Sequence, residues 1–145
     1  MLQKEVHILL TITRDNVNVE LPYLHDGIFL GFQYDEETHT LRFHTKIHPV
    51  RTAYCIEFRS VYGIDMQCCD DWGYSPNIYD WTVEEGRNAP LTQRLLAQAD
   101  EKYKREGLKQ AVEGLVLFIS GNALRVSCAQ IGITPEAFTP EDGLL

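Results

Sequence analysis

Apolar and polar residues alternate along two neighbouring stretches in the first half of the chain. In HTLRFHTKI, the apolar residues Leu41, Phe43 and Ile47 alternate with basic and imidazole side chains. TAYCIEFRSVY repeats the pattern, with Ile56 and Phe58 among its apolar positions. Successive side chains of a strand point to opposite faces, so this period of two predicts two strands with one face in a core.

Other stretches in this half also have the composition of strands. KEVHILLTI and NVNVEL are rich in branched residues, and the TRDN between them contains Asp15 and Asn16, which suit a turn. IFLGFQY follows, and DEET turns the chain into the first alternating stretch. Short turns leave no room for crossover helices, so we predict an antiparallel sheet of about five strands in residues 1–64.

The second half of the chain changes character. Residues 65–90, which include SPNIYDWTVEEGRNAP, are predicted to form a loop segment because of their Gly and Pro content. PLTQRLLAQADEKYKREG has apolar residues at helical spacing, with Pro90 near its start and Gly107 near its end. LKQAVEGLVLFI is predicted to form a second helix; the alternative is that SGN turns a hairpin from LVLFI into ALRVSCAQI. Residues 91–138 are thus predicted to be a helical half.

The predicted fold class is α+β. A single domain spans residues 1–145, with C-terminal helices packed on one face of the N-terminal antiparallel sheet. A chain of 145 residues is long enough to bury its own core. SCAQIGITPEAF has the spacing of a helix-turn-helix, but Glu136 and Pro140 would fall in its recognition helix and no Lys or Arg follows them. We therefore interpret this stretch as a C-terminal cap on the fold.

The cysteines and the N-terminal stretch favour a soluble protein of the cytoplasm. Four cysteines, two of them adjacent, form no recognisable disulfide framework, so the thiols are expected to stay reduced. The N-terminal apolar run is only about seven residues long, too short for a signal segment or a membrane span. We therefore expect no association with a membrane.

Charge is distributed unevenly along a chain whose formal net charge is −8. Residues 38–64 contain four basic residues, one acidic residue and three histidines. Residues 60–86 contain six acidic residues and no Lys or Arg. The negative total argues against binding of double-stranded nucleic acid, because neutralising phosphates needs an excess of Lys and Arg.

The basic stretch leads to the preferred hypothesis, a non-catalytic protein that captures or sequesters a small anionic, nucleotide-like ligand as a homo-oligomer. Guanidinium groups bind phosphate and carboxylate through two hydrogen bonds, and lysine adds positive charge. A histidine would supply a further donor, and an indole ring would stack on the ligand. The predicted ligand-binding residues are Arg42, His44, Lys46, Arg59, Trp72 and Trp81.

The acidic, aromatic stretch leads to an alternative of another class, a small acidic protein inhibitor of the immunity or counter-defence type. Residues 65–85 would then dock on a basic protein partner. Tyr and Trp are common in protein interfaces as well as in ligand stacking. The same stretch could instead close a pocket against a second copy of the chain. The predicted interface residues are Asp70, Asp71, Tyr74 and Tyr79.

The sequence points to no metal, cofactor or familiar catalytic motif. Structural zinc sites separate paired cysteines by two to four residues, whereas Cys68 and Cys69 are adjacent. His44 and His48 would lie about 13 Å apart on one strand, too far to bind one ion. GxGxxG, GxxxxGK and HExxH are absent. We expect no enzymatic activity, and a thiol-dependent hydrolase using Cys55 or Cys69 is the third alternative.

Overall fold

The computed structural model describes residues 10–47, 52–67, 77–119 and 121–136. In these residues the chain forms seven strands and two α-helices. The strands are β1 (Leu10–Ile12), β2 (Ile28–Asp35), β3 (Thr40–Ile47), β4 (Thr52–Gln67), β5 (Ile78–Glu85), β6 (Val112–Phe118) and β7 (Ala123–Glu136). The helices α1 (Pro90–Gln98) and α2 (Lys102–Lys109) lie between β5 and β6 in the chain.

All strand pairs are antiparallel, and the main path of the sheet runs β2-β3-β4-β7-β6-β5. β1 pairs with the C-terminal part of β7, where Leu10 lies opposite Ile133. The two ends of the path meet: the Asp26 N–H donates to the Ile78 carbonyl, and the Ile78 N–H donates to the Gly27 carbonyl, each at 2.8 Å. The sheet therefore curls around on itself and encloses the core on its concave side.

Side chains from both halves of the chain fill this concave side. Phe43 of β3 and Phe58 of β4 are fully buried, and the Phe29 ring stacks on Phe43 with centroids 4.7 Å apart. Gly114 of β6 lets the Phe58 ring approach closely, since a Cβ at that position would lie 2.8 Å from its Cε1. Burial of apolar surface of this kind is the main favourable term in folding.

The two helices cover part of the convex side of the sheet. Leu95 of α1 packs on Gly63 of β4, where a Cβ would lie 2.8 Å from the Leu95 Cδ1. Gly107 of α2 lies against the Tyr62 ring in the same way. Because glycine lacks a side chain, these positions let helix and strand approach closely. Neither described helix is long and apolar enough to cross a membrane.

A carboxylate from the sheet caps the first turn of α1, whose preceding residue makes no side-chain cap. Glu113 of β6 is 1% exposed, and it accepts hydrogen bonds from the Leu91 N–H (3.3 Å), the Thr92 N–H (2.7 Å) and the Thr92 hydroxyl (2.9 Å). The Thr92 hydroxyl also lies 2.7 Å from the Ser127 hydroxyl, and Arg125 donates to Glu113 at 3.2 Å. A carboxylate at the start of a helix accepts hydrogen bonds from its unpaired N–H groups and interacts favourably with the positive end of the helix dipole. Glu113 therefore links α1 to β6 and β7.

The predicted α+β fold, with about five N-terminal strands and a helical C-terminal half, is wrong. The antiparallel sheet extends through both halves of the chain. β5 occupies part of the predicted loop segment, and β6 and β7 occupy much of the second part of the predicted helical half. NVNVEL forms no strand, and β1 pairs with β7 instead of completing an opening hairpin. SCAQIGITPE belongs to β7, so it is not a C-terminal cap.

The helix predicted over LKQAVEGLVLFI is also wrong, and the alternative hairpin through SGN is correct. Both faces of β6 carry buried or partly buried side chains. Val112 and Val116 are fully buried in the core, and Glu113 is buried under α1 on the other face. A strand buried on both faces loses its alternation and reads as a continuous apolar run, which periodicity cannot distinguish from a buried helix.

Candidate binding surfaces

Arg42 and Arg59 share one carboxylate on the convex side of β3 and β4. Arg42 Nε lies 3.2 Å from Glu57 Oε2, and Arg59 Nε lies 2.6 Å from Glu57 Oε1. All three side chains are partly exposed. A Cβ on Gly132 of the adjacent β7 would collide with the Arg59 guanidinium, so glycine leaves room for this group. Two positive charges and one negative charge give this cluster a net charge of +1.

The other predicted ligand-binding residues do not add an open binding surface to this cluster. Lys46 is 1% exposed and His44 is half-buried. Trp81 is 4% exposed, and its indole N–H donates to the Pro22 carbonyl at 2.9 Å. The Trp81 ring is therefore part of the core and is not available for stacking at the surface. Trp72 lies outside the described residues.

A group of exposed aromatic rings lies where β2 and β5 meet. Tyr23 is 74% exposed and Tyr79 is 57% exposed. The His25 ring lies between them, with its centroid 5.8 Å from that of Tyr23 and 5.7 Å from that of Tyr79. Asp26 Oδ2 lies 3.5 Å from His25 Nε2, and the exposed Asp80 follows Tyr79. We call Tyr23, His25, Asp26, Tyr79 and Asp80 the seam patch.

The segment before β2 that carries two of these rings is fixed to β5 on both sides. His25 Nδ1 lies 2.6 Å from the Tyr79 carbonyl and must donate to it, because a carbonyl only accepts. On the other side, the Trp81 indole holds the Pro22 carbonyl. Leu24, between them, is 2% exposed and belongs to the core. A surface that is ordered before binding loses less conformational entropy when a partner arrives.

Both segments of the seam patch come from stretches without basic side chains. Residues 15–41 and residues 60–86 contain no Lys or Arg, and each stretch contains six Asp or Glu residues. On β5, the exposed Asp80 directly follows Tyr79. The carboxylates placed beside the exposed rings are those of Asp26 and Asp80, and their negative charge is complementary to a basic surface.

Tyr79 is the one predicted interface residue that the described part of the chain contains. Asp70, Asp71 and Tyr74 lie outside the described residues. Tyr23 and His25 of PYLHDG are not among the interface residues predicted from the sequence, because this stretch has the composition of an ordinary turn after a strand. The available signal was a Tyr and a His on either side of an apolar residue, in a stretch free of Lys and Arg.

The described thiols are poorly suited to nucleophilic chemistry. Cys55 and Cys128 are buried thiols. Burial raises the pKa of the Cys128 thiol far above its ordinary value, and a protonated thiol is a weak nucleophile. In the described part of the chain, no group of three or more His, Cys, Asp or Glu side chains could hold a metal ion. Cys68 and Cys69 lie outside the described residues.

No protein-family model, no curated protein and no solved structure matches this chain. The functional inference therefore rests on two surfaces, the Arg42–Glu57–Arg59 cluster and the seam patch. They suit different partners, because the cluster is small and positively charged, whereas the seam patch is aromatic, acidic and held in place on both sides.

Proposed function

We propose that this protein is a non-catalytic binding protein that inhibits a basic protein partner through the seam patch. The observation that supports the proposal is the pair of exposed tyrosines held on either side of His25 among carboxylates. Tyr is enriched among the few residues that carry most of the binding energy of an interface. Carboxylates around such residues favour a partner with Lys and Arg at the matching positions.

Inhibition is favoured over catalysis by what the seam patch offers chemically. His25 faces an acceptor at each ring nitrogen, the Tyr79 carbonyl at Nδ1 and the Asp26 carboxylate at Nε2. The tyrosines present flat, rigid rings with a polar end, which suit contact with a protein surface. Covering a basic, substrate-binding surface of the partner needs only affinity and no reacting group.

Photo-crosslinking from the seam patch tests the proposal. One variant carries the photo-crosslinking residue benzoylphenylalanine in place of Tyr79 and is produced in the protein's natural host. A matched variant carries benzoylphenylalanine in place of Tyr103, which is 70% exposed on α2. We expect an adduct with a basic protein from position 79 and not from position 103. No adduct from position 79, the same adducts from both positions, or an acidic partner would contradict the proposal.

The purified partner then allows affinity and inhibition to be measured separately. Tyr23→Ala is expected to weaken binding by about 2 kcal/mol, the size of an interface hot spot, whereas Tyr103→Ala should leave it unchanged. Asp80→Lys should weaken binding and reduce its dependence on salt. Addition of the protein in equal amount should abolish the partner's activity. A partner that binds and stays fully active would rule out inhibition.

We propose binding of a small anion at the Arg42–Glu57–Arg59 cluster as a second function. The supporting observation is that two partly exposed guanidinium groups share a single carboxylate. Each guanidinium has five N–H donors and gives one nitrogen to Glu57, so donors remain for a phosphate group. The ligand would be held chiefly by its phosphate, since the Trp81 ring is buried.

Titration with inorganic phosphate and adenosine monophosphate, followed by NMR, tests this second function. Arg42→Gln with Arg59→Gln should abolish binding, while Arg87→Gln, which alters an exposed arginine paired with Glu85, should not change it. Absence of binding to the unaltered protein would contradict anion capture. Native mass spectrometry of protein taken from its host would report a retained ligand and whether the chain is a homo-oligomer.

A further inference from the structure

A groove of about 220 Å³ opens on the convex side of the sheet. It crosses three adjacent strands, because β7 lies between β4 and β6. Partly buried leucines and an alanine supply apolar walls, and polar side chains supply the rest. The lining residues are Asp65 and Gln67 of β4, Leu115 and Leu117 of β6, and Ala123 and Arg125 of β7.

A carboxylate and a guanidinium line this groove from paired positions. Asp65 and Arg125 are direct partners in the antiparallel β4–β7 ladder, in which paired Cβ atoms lie about 5 Å apart. Each forms an ion pair with a different residue. Asp65 Oδ2 lies 3.7 Å from Arg94 Nη2, and Arg125 Nη1 lies 3.2 Å from Glu113 Oε2. Within the described residues, the Asp65 carboxylate accepts no hydrogen bond, and the Arg125 guanidinium donates only from Nη1. Both groups therefore keep hydrogen-bonding capacity for a ligand.

We infer that this groove binds a small zwitterion, a free α-amino acid with an aliphatic side chain. Its carboxylate accepts hydrogen bonds from Arg125, and its ammonium group donates to Asp65. An α-amino acid carries its ammonium and carboxylate groups on the same carbon atom, which matches two side chains that are direct cross-strand partners. Its aliphatic side chain packs on Leu115 and Leu117.

Size and charge favour this class of ligand over a nucleotide. Pockets for drug-sized ligands have volumes of about 300–1,000 Å³, so this groove suits a smaller molecule. The charged side chains around it, Asp65, Arg94, Glu113 and Arg125, comprise two of each sign, and a zwitterion leaves that balance unchanged. The inference does not depend on the protein-binding proposal, because amino-acid binding is measured on the purified chain alone.

Titration of the purified chain with valine and leucine, followed by NMR, tests the site. Isovalerate carries the carboxylate of valine without its ammonium group, and isobutylamine carries the ammonium group without the carboxylate. We expect saturable binding of at least one of the amino acids. Each analogue should bind at least about tenfold more weakly than valine, because it loses one charge-assisted interaction.

Two substitutions and a matched control place the ligand in the groove. Asp65→Asn removes a partly exposed charge and should weaken binding about tenfold. Ala123→Leu fills the groove and should abolish binding. Glu36→Gln removes the same charge from an exposed turn and should leave binding unchanged. The amide spectrum of each variant reports its folding. No saturable binding to the unaltered chain, equal binding of the analogues, or full binding by Ala123→Leu would overturn the inference.

Discussion

Cys128 places an ionisable group inside the core. Its side chain is fully buried on β7, and the loss of solvation of the thiolate raises the pKa of the thiol. Backbone hydrogen bonds at Gln130 and Arg59 lower the pKa by less than burial raises it. The unfolded chain therefore releases this proton at a lower pH than the folded protein. It follows that the stability that depends on the protonated thiol is present at neutral pH and is lost as the pH rises.

We expect Cys128 to make the protein less stable in alkaline solution. Above the ordinary thiol pKa of about 8.5, this group alone should lower the free energy of unfolding by about 1.4 kcal/mol per pH unit. Cys128→Ala should remove this part of the slope in urea unfolding measured at increasing pH. Burial also raises the pKa of Tyr62, so part of the alkaline slope should remain in Cys128→Ala. The slope of this variant is therefore compared with that of the unaltered protein.

Val126→Ala is the matched control for this prediction. Val126 is also fully buried on β7 and belongs to the same core cluster as Cys128. Its truncation should lower stability at every pH, because it leaves a cavity, and should keep the alkaline slope of the unaltered protein. If Cys128→Ala kept the alkaline slope of the unaltered protein, the thiol would not be the group responsible for it.

At the scale of the elements, α1 depends on the sheet for its position. It has nine residues, and isolated helices of that length are marginal in water. Glu113 supplies the acceptors for its first N–H groups, and Leu95 packs against Gly63. We therefore interpret α1 as an element held by tertiary contacts at both its first turn and its apolar face.

Glu113→Ala should lower the free energy of unfolding by about 2–4 kcal/mol, because it leaves buried N–H groups and a partly buried guanidinium without their acceptor. Glu84→Ala is the control: Glu84 lies directly opposite Glu113 on β5 and is exposed. This control should change stability by less than about 0.5 kcal/mol. Urea unfolding followed by circular dichroism measures both variants. Similar small losses in the two would show that the carboxylate does not hold α1.

At the scale of the whole molecule, closure of the sheet brings the seam patch together. β2 and β5 lie at opposite ends of the strand path, and backbone hydrogen bonds at Asp26, Gly27 and Ile78 and the bridge between Ile28 and Asn77 join them. Asp26 adopts a positive φ of 63° at this junction, which Asp tolerates better than most residues. This junction brings Tyr79 next to His25 and therefore close to Tyr23, so the proposed binding surface forms when the sheet closes.

Amide hydrogen exchange tests whether the sheet is closed in solution. The N–H groups of Asp26 and Ile78 should exchange slowly, with protection approaching that of the central strands, because both are hydrogen-bonded across the junction. The Glu36 amide, in the exposed turn between β2 and β3, provides the unprotected reference. Exchange of Asp26 and Ile78 as fast as that of Glu36 would mean that the two edges of the sheet separate readily.

The candidate surfaces show how little of a site follows from residue type alone. Arg42 and Arg59 are close together, in keeping with the basic face predicted from alternation, but Glu57 takes part of their charge. Lys46 and Trp81 are buried, although both residue types are usually found at least partly exposed. Tyr23 could not be paired with Tyr79 from the sequence, because 56 positions separate them and only the strand path brings them together.

The sequence by itself determined the elements whose signals are local. β2, β3 and most of β4 follow from alternation and from the DEET turn, and Pro90 marks the start of α1 as predicted. The second half was decided by tertiary structure. β6 faces the core on one side and carries the buried Glu113 and the partly buried Leu115 and Leu117 on the other, so its strand period is hidden. Residues 131–136 extend β7 because β4 and β1 offer partners there. Burial on both faces and pairing with distant strands leave no periodic trace in the chain, and for that reason the closed sheet and its seam patch appear only in the folded protein.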